Sequence, residues 1–456
     1  MHRRFLGIYW HLPLVFLGIG ELCFIGIALG LATRMYRTEL TASFVLIFLA
    51  CGLLAMGAFG LYSRRLRART SGTALRIFGG LALGALLATT ASLLLGMEPP
   101  PLRTQSVTIT LALAAMTLLR FWLSHRPDGD FFRRNVLVFG AGERAQSLTE
   151  LRRRADLRGF RLEGFVSAEG ESLAIPEGRL LRIKANLLET CRARDVDEIV
   201  VAMDDRRRNF PVAELLECRL AGIEIIELVS FLERETGKVR LDMLHPSWLI
   251  YATGFRQDAL RERTRRLFDV LASLALMLVS WPLMLLTALA VKLEDGWQAP
   301  VLYRQTRVGL MGHKFNIFKF RSMTVDAESD GQARWATTND DRATKVGRFI
   351  RKARLDELPQ IFNVFVGDMS VVGPRPERPE FVRELCEKIP YYRERHYVRP
   401  GITGWAQLCY AYGASEEDAI EKLQYDLYYV KNHGLLFDLV ILLQTVEVII
   451  FGKGAR

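Results

Sequence analysis

The sequence predicts a membrane protein in three parts: a four-helix transmembrane bundle, a small α/β domain, and a mostly α-helical C-terminal domain with a re-entrant membrane helix-hairpin. Three observations predict it. Four apolar stretches of membrane-crossing length open the chain. A strand-like run then leads into Gly140-x-Gly142-x-x-Ala145, and strand and helix patterns alternate after it. Further on, the apolar run Leu267 to Val291 has basic residues on both flanks and Pro282 near its middle. The boundaries are 1–126 for the bundle, 132–232 for the α/β domain, 233–260 for a linker and 261–456 for the last domain, with the re-entrant helix at 267–291.

The expected spans are about Leu12 to Ala32, Thr41 to Tyr62, Leu75 to Met97 and Gln105 to Leu123. Arg3 and Arg4 precede the first, Arg64, Arg65, Arg67 and Arg69 lie between the second and third, and His125, Arg126, Arg133 and Arg134 follow the fourth. This bias puts both ends of the bundle in the cytoplasm. Glu21, inside the first span, is either functional, satisfied within the bundle, or near an interface. Of the 456 residues 50% are hydrophobic, and mean hydropathy is +0.13. That is too apolar for a typical soluble protein and too polar for one made only of spans. The net charge of +11 fits basic cytoplasmic loops and a phosphate-handling site. Nucleic-acid binding is not expected, because the arginines lie beside apolar spans rather than among aromatics. The six cysteines form no C-x-x-C pair, so they read as reduced thiols without a zinc site or disulfides.

In the α/β domain, Asn135 to Phe139, Glu198 to Ala202 and Ile223 to Leu228 read as strands, with a helix from Val212 to Leu220. The glycine pattern makes the domain Rossmann-like. It is compatible with a pyrophosphate at a helix N-terminus, but the structural or regulatory module is the better reading, since only Glu163 and Glu169 offer the downstream acid. In the last domain, a crossing by Leu267 to Val291 would export the basic segment beyond it. A helix that enters, bends at Ser280-Trp-Pro282 and returns keeps both flanks cytoplasmic. Asp326 to Asp341 reads as a mobile polar loop, and Leu435 to Phe451 as an interfacial helix.

Asp356 and Glu357 are adjacent carboxylates among Lys345, Arg348, Arg351, Lys352 and Arg354. Apolar residues from Val346 to Phe365 recur at three- and four-residue spacing, which predicts one amphipathic helix carrying the pair. Neighbours on a helix point about 100° apart, so the two cannot stack, but both can face a shared phosphate–metal site. A carboxylate can be a nucleophile towards phosphorus, and its neighbour can help hold Mg²⁺. From spacing alone the same residues better suit a surface helix with ordinary ion pairs.

Lys319-Phe-Arg-Ser-Met323, Arg351, Leu355-Asp-Glu-Leu-Pro-Gln-Ile-Phe-Asn363, Gly367-Asp-Met-Ser-Val-Val-Gly-Pro-Arg-Pro376, Val398-Arg-Pro-Gly-Ile-Thr-Gly-Trp-Ala-Gln407 and Asp426-Leu-Tyr-Tyr-Val430 succeed one another in this order. From about Arg265 onward the chain resembles the bacterial sugar transferases, the polyprenyl-phosphate hexose-1-phosphate transferases or monotopic phosphoglycosyl transferases. The spans and the Rossmann-like module resemble the long form of that family. The resemblance implies a catalytic domain on the cytoplasmic face of a multi-pass protein of the bacterial inner membrane, bound to membrane lipid. It implies attack by Asp356 on a UDP-sugar, release of UMP, and transfer of the sugar phosphate to undecaprenyl phosphate, which begins assembly of an exopolysaccharide or another surface glycan. Glu357, with Asp356, would bind Mg²⁺. Arg351 and Arg375 would hold phosphate, with Lys319, Arg321 and Arg399 as further candidates. His396 falls in a matching segment with a catalytic or a structural role open. Ser280 and Pro282 would form the hairpin bend, although Trp281 separates a pair that is usually contiguous. An extended membrane domain is compatible with a homodimer.

Two other readings are a membrane-anchored sugar-nucleotide dehydratase and a non-catalytic polysaccharide-assembly partner. The first wants a Tyr-x-x-x-Lys pair, which the sequence lacks. The second would tolerate loss of Asp356.

Overall fold

The computed structural model describes residues 2–5, 8–62, 70–124, 133–151, 159–168, 170–181, 183, 186–205, 210–244, 259–324, 342–410, 413 and 415–451. The expected loop at 326–341, Glu169, and the His245-Pro246 part of the linker lie outside them. The chain forms two compact units, Met1–Leu244 and His245–Arg456.

The first unit opens with a short antiparallel ribbon, β1 (His2–Phe5) against β2 (Ile8–His11). Helices α1 (Leu12–Tyr36), α2 (Ala42–Ala58), α3 (Thr70–Leu94) and α4 (Leu102–Ser124) come next. α1, α3 and α4 are long and apolar enough to cross a membrane. α2 has 17 residues and ends at Ala58, because Gly60 turns the chain at φ 70° before the expected end at Tyr62. Thr41 caps its start by accepting from Phe44 N at 3.3 Å. Ile25, Leu29, Phe48, Met56, Leu81 and Met116 fill the bundle core, while Phe16, Ile27, Leu46 and Leu86 stay exposed, as lipid-facing residues should. Glu21 is satisfied within the bundle: Arg120 donates to its two oxygens at 2.6 and 3.1 Å.

The α/β part holds four parallel strands in the order β4-β3-β5-β6: β3 (Arg134–Phe139), β4 (Phe160–Val166), β5 (Glu198–Val201) and β6 (Glu224–Glu227). Helices α5 (Glu143–Thr149), α6 (Leu187–Ala193), α7 (Val212–Leu220) and α8 (Leu228–Thr236) complete it. Alternate residues of each strand enter two separate cores: Leu137, Ile199 and Val201 pack with Leu187 and Leu215, and Val136, Val138 and Val200 pack with Leu148 and Phe231. Both sheet faces are therefore covered, as a parallel sheet requires.

The second unit begins with α9 (Ala259–Asp295), 37 residues of continuous helix with Pro282 inside. Its middle is exposed and apolar at Leu278, Val279, Trp281, Leu285 and Leu286, and its two ends both pack on the rest of the unit. Near the start, Asp269 accepts from Ser370 Oγ at 2.9 Å and Val371 N at 3.0 Å, and Arg266 donates to Val364 O and Phe365 O at 2.6 and 2.5 Å. Near the end, Met284, Ala288 and Val291 pack with Phe320 and Ile350. An antiparallel hairpin, β7 (Leu302–Val308) and β8 (Lys314–Phe320), comes after it. Beyond the hairpin lie α10 (Lys345–Lys352), α11 (Gln360–Val366), β9 (Ser370–Val372), α12 (Pro379–Lys388), β10 (Gly401–Thr403), α13 (Trp405–Cys409), α14 (Glu416–Asn432) and α15 (Leu435–Phe451).

Candidate active site

The carboxylate pair lies in a turn rather than on a helix. Arg354 adopts φ 59° and ψ 20°, a left-handed conformation that is costly for a residue with a Cβ, and it ends the run of α10. Leu355–Glu357 then form one 3-10 turn, and Pro359, which has no N–H to donate, opens α11. The single amphipathic helix expected over Val346 to Phe365 is thus two short helices with Asp356 and Glu357 between them. The apolar spacing is nonetheless used: Val346, Ile350, Leu355 and Leu358 all face Val291 and Phe320.

Within the turn the two acids have opposite surroundings. Glu357 Oε1 accepts from Arg375 Nη2 at 2.7 Å and from Lys319 Nζ at 3.3 Å, with Arg354 Nη1 at 3.8 Å. Burial works to raise its pKa, but Arg375 and then Lys319 hold it well below the usual carboxylate range. Asp356 is buried, and its Oδ1 has no hydrogen-bond partner among the described residues. Burial and then the Glu357 charge push its pKa up, against Lys319, Arg354 and Arg351. Burial also lowers the pKa of Lys319, against the pull of Glu357.

The residues around the carboxylate pair come from separate elements. Asn363 on α11 accepts from Phe318 N at 3.0 Å and donates to Asn316 O at 2.7 Å, which fixes α11 to β8 and so sets Lys319 against Glu357. Arg375 comes from the loop after β9. That strand pairs in parallel with β10, Gly373 N donates to Thr403 O at 2.8 Å, and Gly401 N donates to Pro374 O at 2.9 Å. A Cβ at Gly373 would collide with the Arg399 carbonyl oxygen, so only glycine allows this approach. Arg307 Nη1 donates to Pro376 O at 3.0 Å.

Asp356, Glu357, Lys319 and Arg375 are therefore brought together, and Arg351 on the last turn of α10 contributes its charge to Asp356. The other expected residues make different described contacts. Arg399 donates to Gly367 O at 3.0 Å and pairs with Glu262, so its described contacts are with the α11 terminus and the start of α9. Arg321 lines an open groove with Pro300, Tyr303 and Arg304, and its Nη1 is buried without a hydrogen-bond partner among the described residues. Ser280 and Pro282 lie inside the helical run of α9, where Ser280 Oγ is 3.6 Å from Met284 Sδ. His396 is buried, with Nδ1 3.2 Å from Arg393 O. Asn363 lies in one of the family-like motifs, but only the fold shows its bridging role. Arg307 carried no signal in the sequence.

No group of three His, Cys, Asp or Glu that could hold a metal occurs among the described residues. A Mg²⁺ bound through one or two carboxylates, waters and substrate phosphates needs no such group, and the unbonded Asp356 oxygen beside Glu357 fits that donor set. The glycine loop of the α/β part fits a dinucleotide less well. Asp204 accepts from Glu143 N and Arg144 N at 2.9 and 2.8 Å, where a pyrophosphate would bind, and Glu171 accepts from Ala141 N at 2.8 Å. Glu163, one of the two downstream acids noted in the sequence, pairs with Arg161 at 3.2 Å.

Residues 260–452 match the family model described as bacterial sugar transferase. The chain is 33% identical over 358 residues to a UDP-glucose:undecaprenyl-phosphate glucose-1-phosphate transferase of Xanthomonas campestris pv. campestris, covering 75% of this chain and 72% of that protein. The chain belongs to the bacterial sugar transferase family. It is 43% identical over 242 residues to a UDP-N-acetylgalactosamine-undecaprenyl-phosphate N-acetylgalactosaminephosphotransferase of Aeromonas hydrophila, covering 53% of this chain and 56% of that one. To an undecaprenyl-phosphate glucose phosphotransferase of Komagataeibacter xylinus it is 34% identical over 334 residues, covering 71% of this chain and 60% of that one. The chain spans less than two thirds of the length of these last two relatives. Lys319, Arg351, Asp356, Glu357 and Arg375 all fall inside the stretch matched by the sugar transferase model.

Proposed function

We propose that this protein transfers a hexose 1-phosphate from a UDP-sugar to undecaprenyl phosphate, releasing UMP, as the first step of a surface-glycan assembly. The observation that carries the reading is the asymmetry of the pair: Glu357 is engaged by Arg375 and Lys319, while the Asp356 oxygen beside it has no partner among the described residues. An Asp356 oxygen attacks the β-phosphorus, the bond from that phosphorus to the oxygen bridging to the α-phosphate breaks, and UMP departs. A phosphate oxygen of undecaprenyl phosphate then attacks the same phosphorus and returns the carboxylate. The raised pKa of Asp356 makes it the more nucleophilic acid once ionised. Arg375, Lys319 and Arg351 offset charge on the phosphates. Mg²⁺ bound with Glu357, Asp356 and the donor phosphates would supply further charge neutralisation.

Both substrates meet only at the cytoplasmic face of the inner membrane, and we read α9 as re-entrant there. A straight helix of its length would be ~55 Å long, against a hydrocarbon core of ~30 Å. Its two ends pack on one unit, and its basic flanks favour a return to the same face.

The test is release of UMP by purified protein from a panel of UDP-sugars with undecaprenyl phosphate. Wild type should release UMP from at least one sugar nucleotide, and Asp356→Asn should lower the rate by roughly 10⁴-fold while still inserting; full activity in that variant would sink the nucleophile assignment. In the same assay EDTA should stop turnover and Mg²⁺ restore it. Turnover that ignores EDTA would remove the metal role from Glu357.

A further inference from the structure

We propose that Arg395 and Asp426 are positioning residues for Arg375, holding its backbone so that its guanidinium stands at the carboxylate pair. The proposal rests on the reading of Arg375 as a phosphate-binding residue. Arg375 lies in a loop between β9 and α12 that has no regular structure of its own. A long side chain on such a loop loses reach and orientation unless its backbone is fixed. Arg395 supplies the fixing bond: its Nη2 donates to Arg375 O at 3.0 Å. The Arg395 guanidinium is itself immobile. Nε and Nη2 donate to Asp426 Oδ2 at 3.1 and 2.8 Å, and Nη1 donates to Tyr392 OH at 3.0 Å. Arg395 is 5% exposed and Asp426 2%.

Asp426 is rigid in turn, because α14 carries it between the buried Tyr425, Leu427 and Tyr429. A continuous path therefore runs from α14 through Asp426 and Arg395 to the Arg375 backbone, and from the Arg375 side chain to Glu357. No described hydrogen bond or ion pair joins Arg395 or Asp426 to Asp356 or Glu357, so the pair acts through Arg375. A planar fork serving three acceptors explains why this position takes arginine, since lysine offers one point of charge.

The experiment is a mutant cycle on the full chain in lipid nanodiscs, read by titration with UDP, by UMP release and by thermal unfolding. Arg395→Met with Asp426→Leu replaces the buried charges together by apolar groups, which preserves folding better than removing one alone. This double variant should unfold near the wild-type midpoint yet bind UDP about tenfold more weakly. Added to Arg375→Ala, it should cause no further loss of UDP affinity, because the residue it positions is already gone. Wild-type affinity in the double variant, or losses that add in the combined one, would overturn the proposal. If the double variant unfolds, Asp426→Asn carries the same cycle, with the same outcomes deciding. UDP binding without UMP release from any UDP-sugar would refute the proposed reaction and leave the cycle to judge the positioning. A wild type that does not bind UDP would overturn both.

Discussion

Asp356 and Glu357 are covalent neighbours, yet their carboxyls are driven in opposite directions by what surrounds them. The sequence brought Asp356, Glu357, Lys319 and Arg375 into one hypothesis, and the fold places them together. It could not reveal the bond from Arg395 to the Arg375 carbonyl, because a backbone acceptor leaves no mark on residue choice. Arg399 is the reverse case: a charged residue in a matching motif is used to hold the α11 terminus. His396, open in the sequence between a catalytic and a structural role, is buried and held neutral, with its pKa pushed down to about 4 by burial and then by Arg395. An unfolded histidine takes up its proton near pH 6.5. The contribution of neutral His396 to stability is thus complete above that pH and lost as pH falls towards 4. The loss is of order 3 kcal/mol. Unfolding midpoints measured from pH 7 to 4 should fall, and His396→Gln should flatten the slope in that window. An unchanged slope would show that His396 does not titrate there.

At the scale of elements, period was a good guide to packing and a poor one to continuity. β3, β5, β6 and α7 fall where their apolar runs and turn signals put them. β4 is not legible in the sequence, since Gly164 interrupts its pattern; in the fold its register against β3 shifts between Val136 and Leu137. The break between α10 and α11 is not legible in the sequence for a different reason: its decisive residue, Arg354, is not a glycine, and nothing in an arginine announces a left-handed backbone. The glycine loop before α5 carries its own prediction. Two carboxylates from this same chain, Asp204 and Glu171, take its N–H groups. NAD⁺ at millimolar concentration should leave the unfolding midpoint unchanged, whereas Asp204→Ala should cost about 1 kcal/mol through loss of a helix cap. A rise in midpoint with NAD⁺ would show that the ligand can displace the carboxylate.

For the whole molecule, the path of α9 decides where the chemistry happens. Reporter tags placed after residue 130 and at the C-terminus should both read as cytoplasmic; a periplasmic C-terminus would make α9 a true crossing and put the carboxylate pair on the wrong side for a nucleotide sugar. The sequence suggested this from charge alone, because basic flanks are visible without any contact. It could not suggest which distant partners would satisfy the buried charges. One such pair, in the bundle, bears on how the chain is made. Glu21 and Arg120 stand 99 positions apart, on the first and last of its helices. During synthesis α1 therefore reaches the bilayer with an acid whose counter-ion has not yet been translated. Acidic residues within membrane-spanning helices are costly without a partner, and the partner of Glu21 comes with α4. The pair thus ties the first helix of the bundle to the last: a chain cut short before Arg120 lacks the donor that both Glu21 oxygens use.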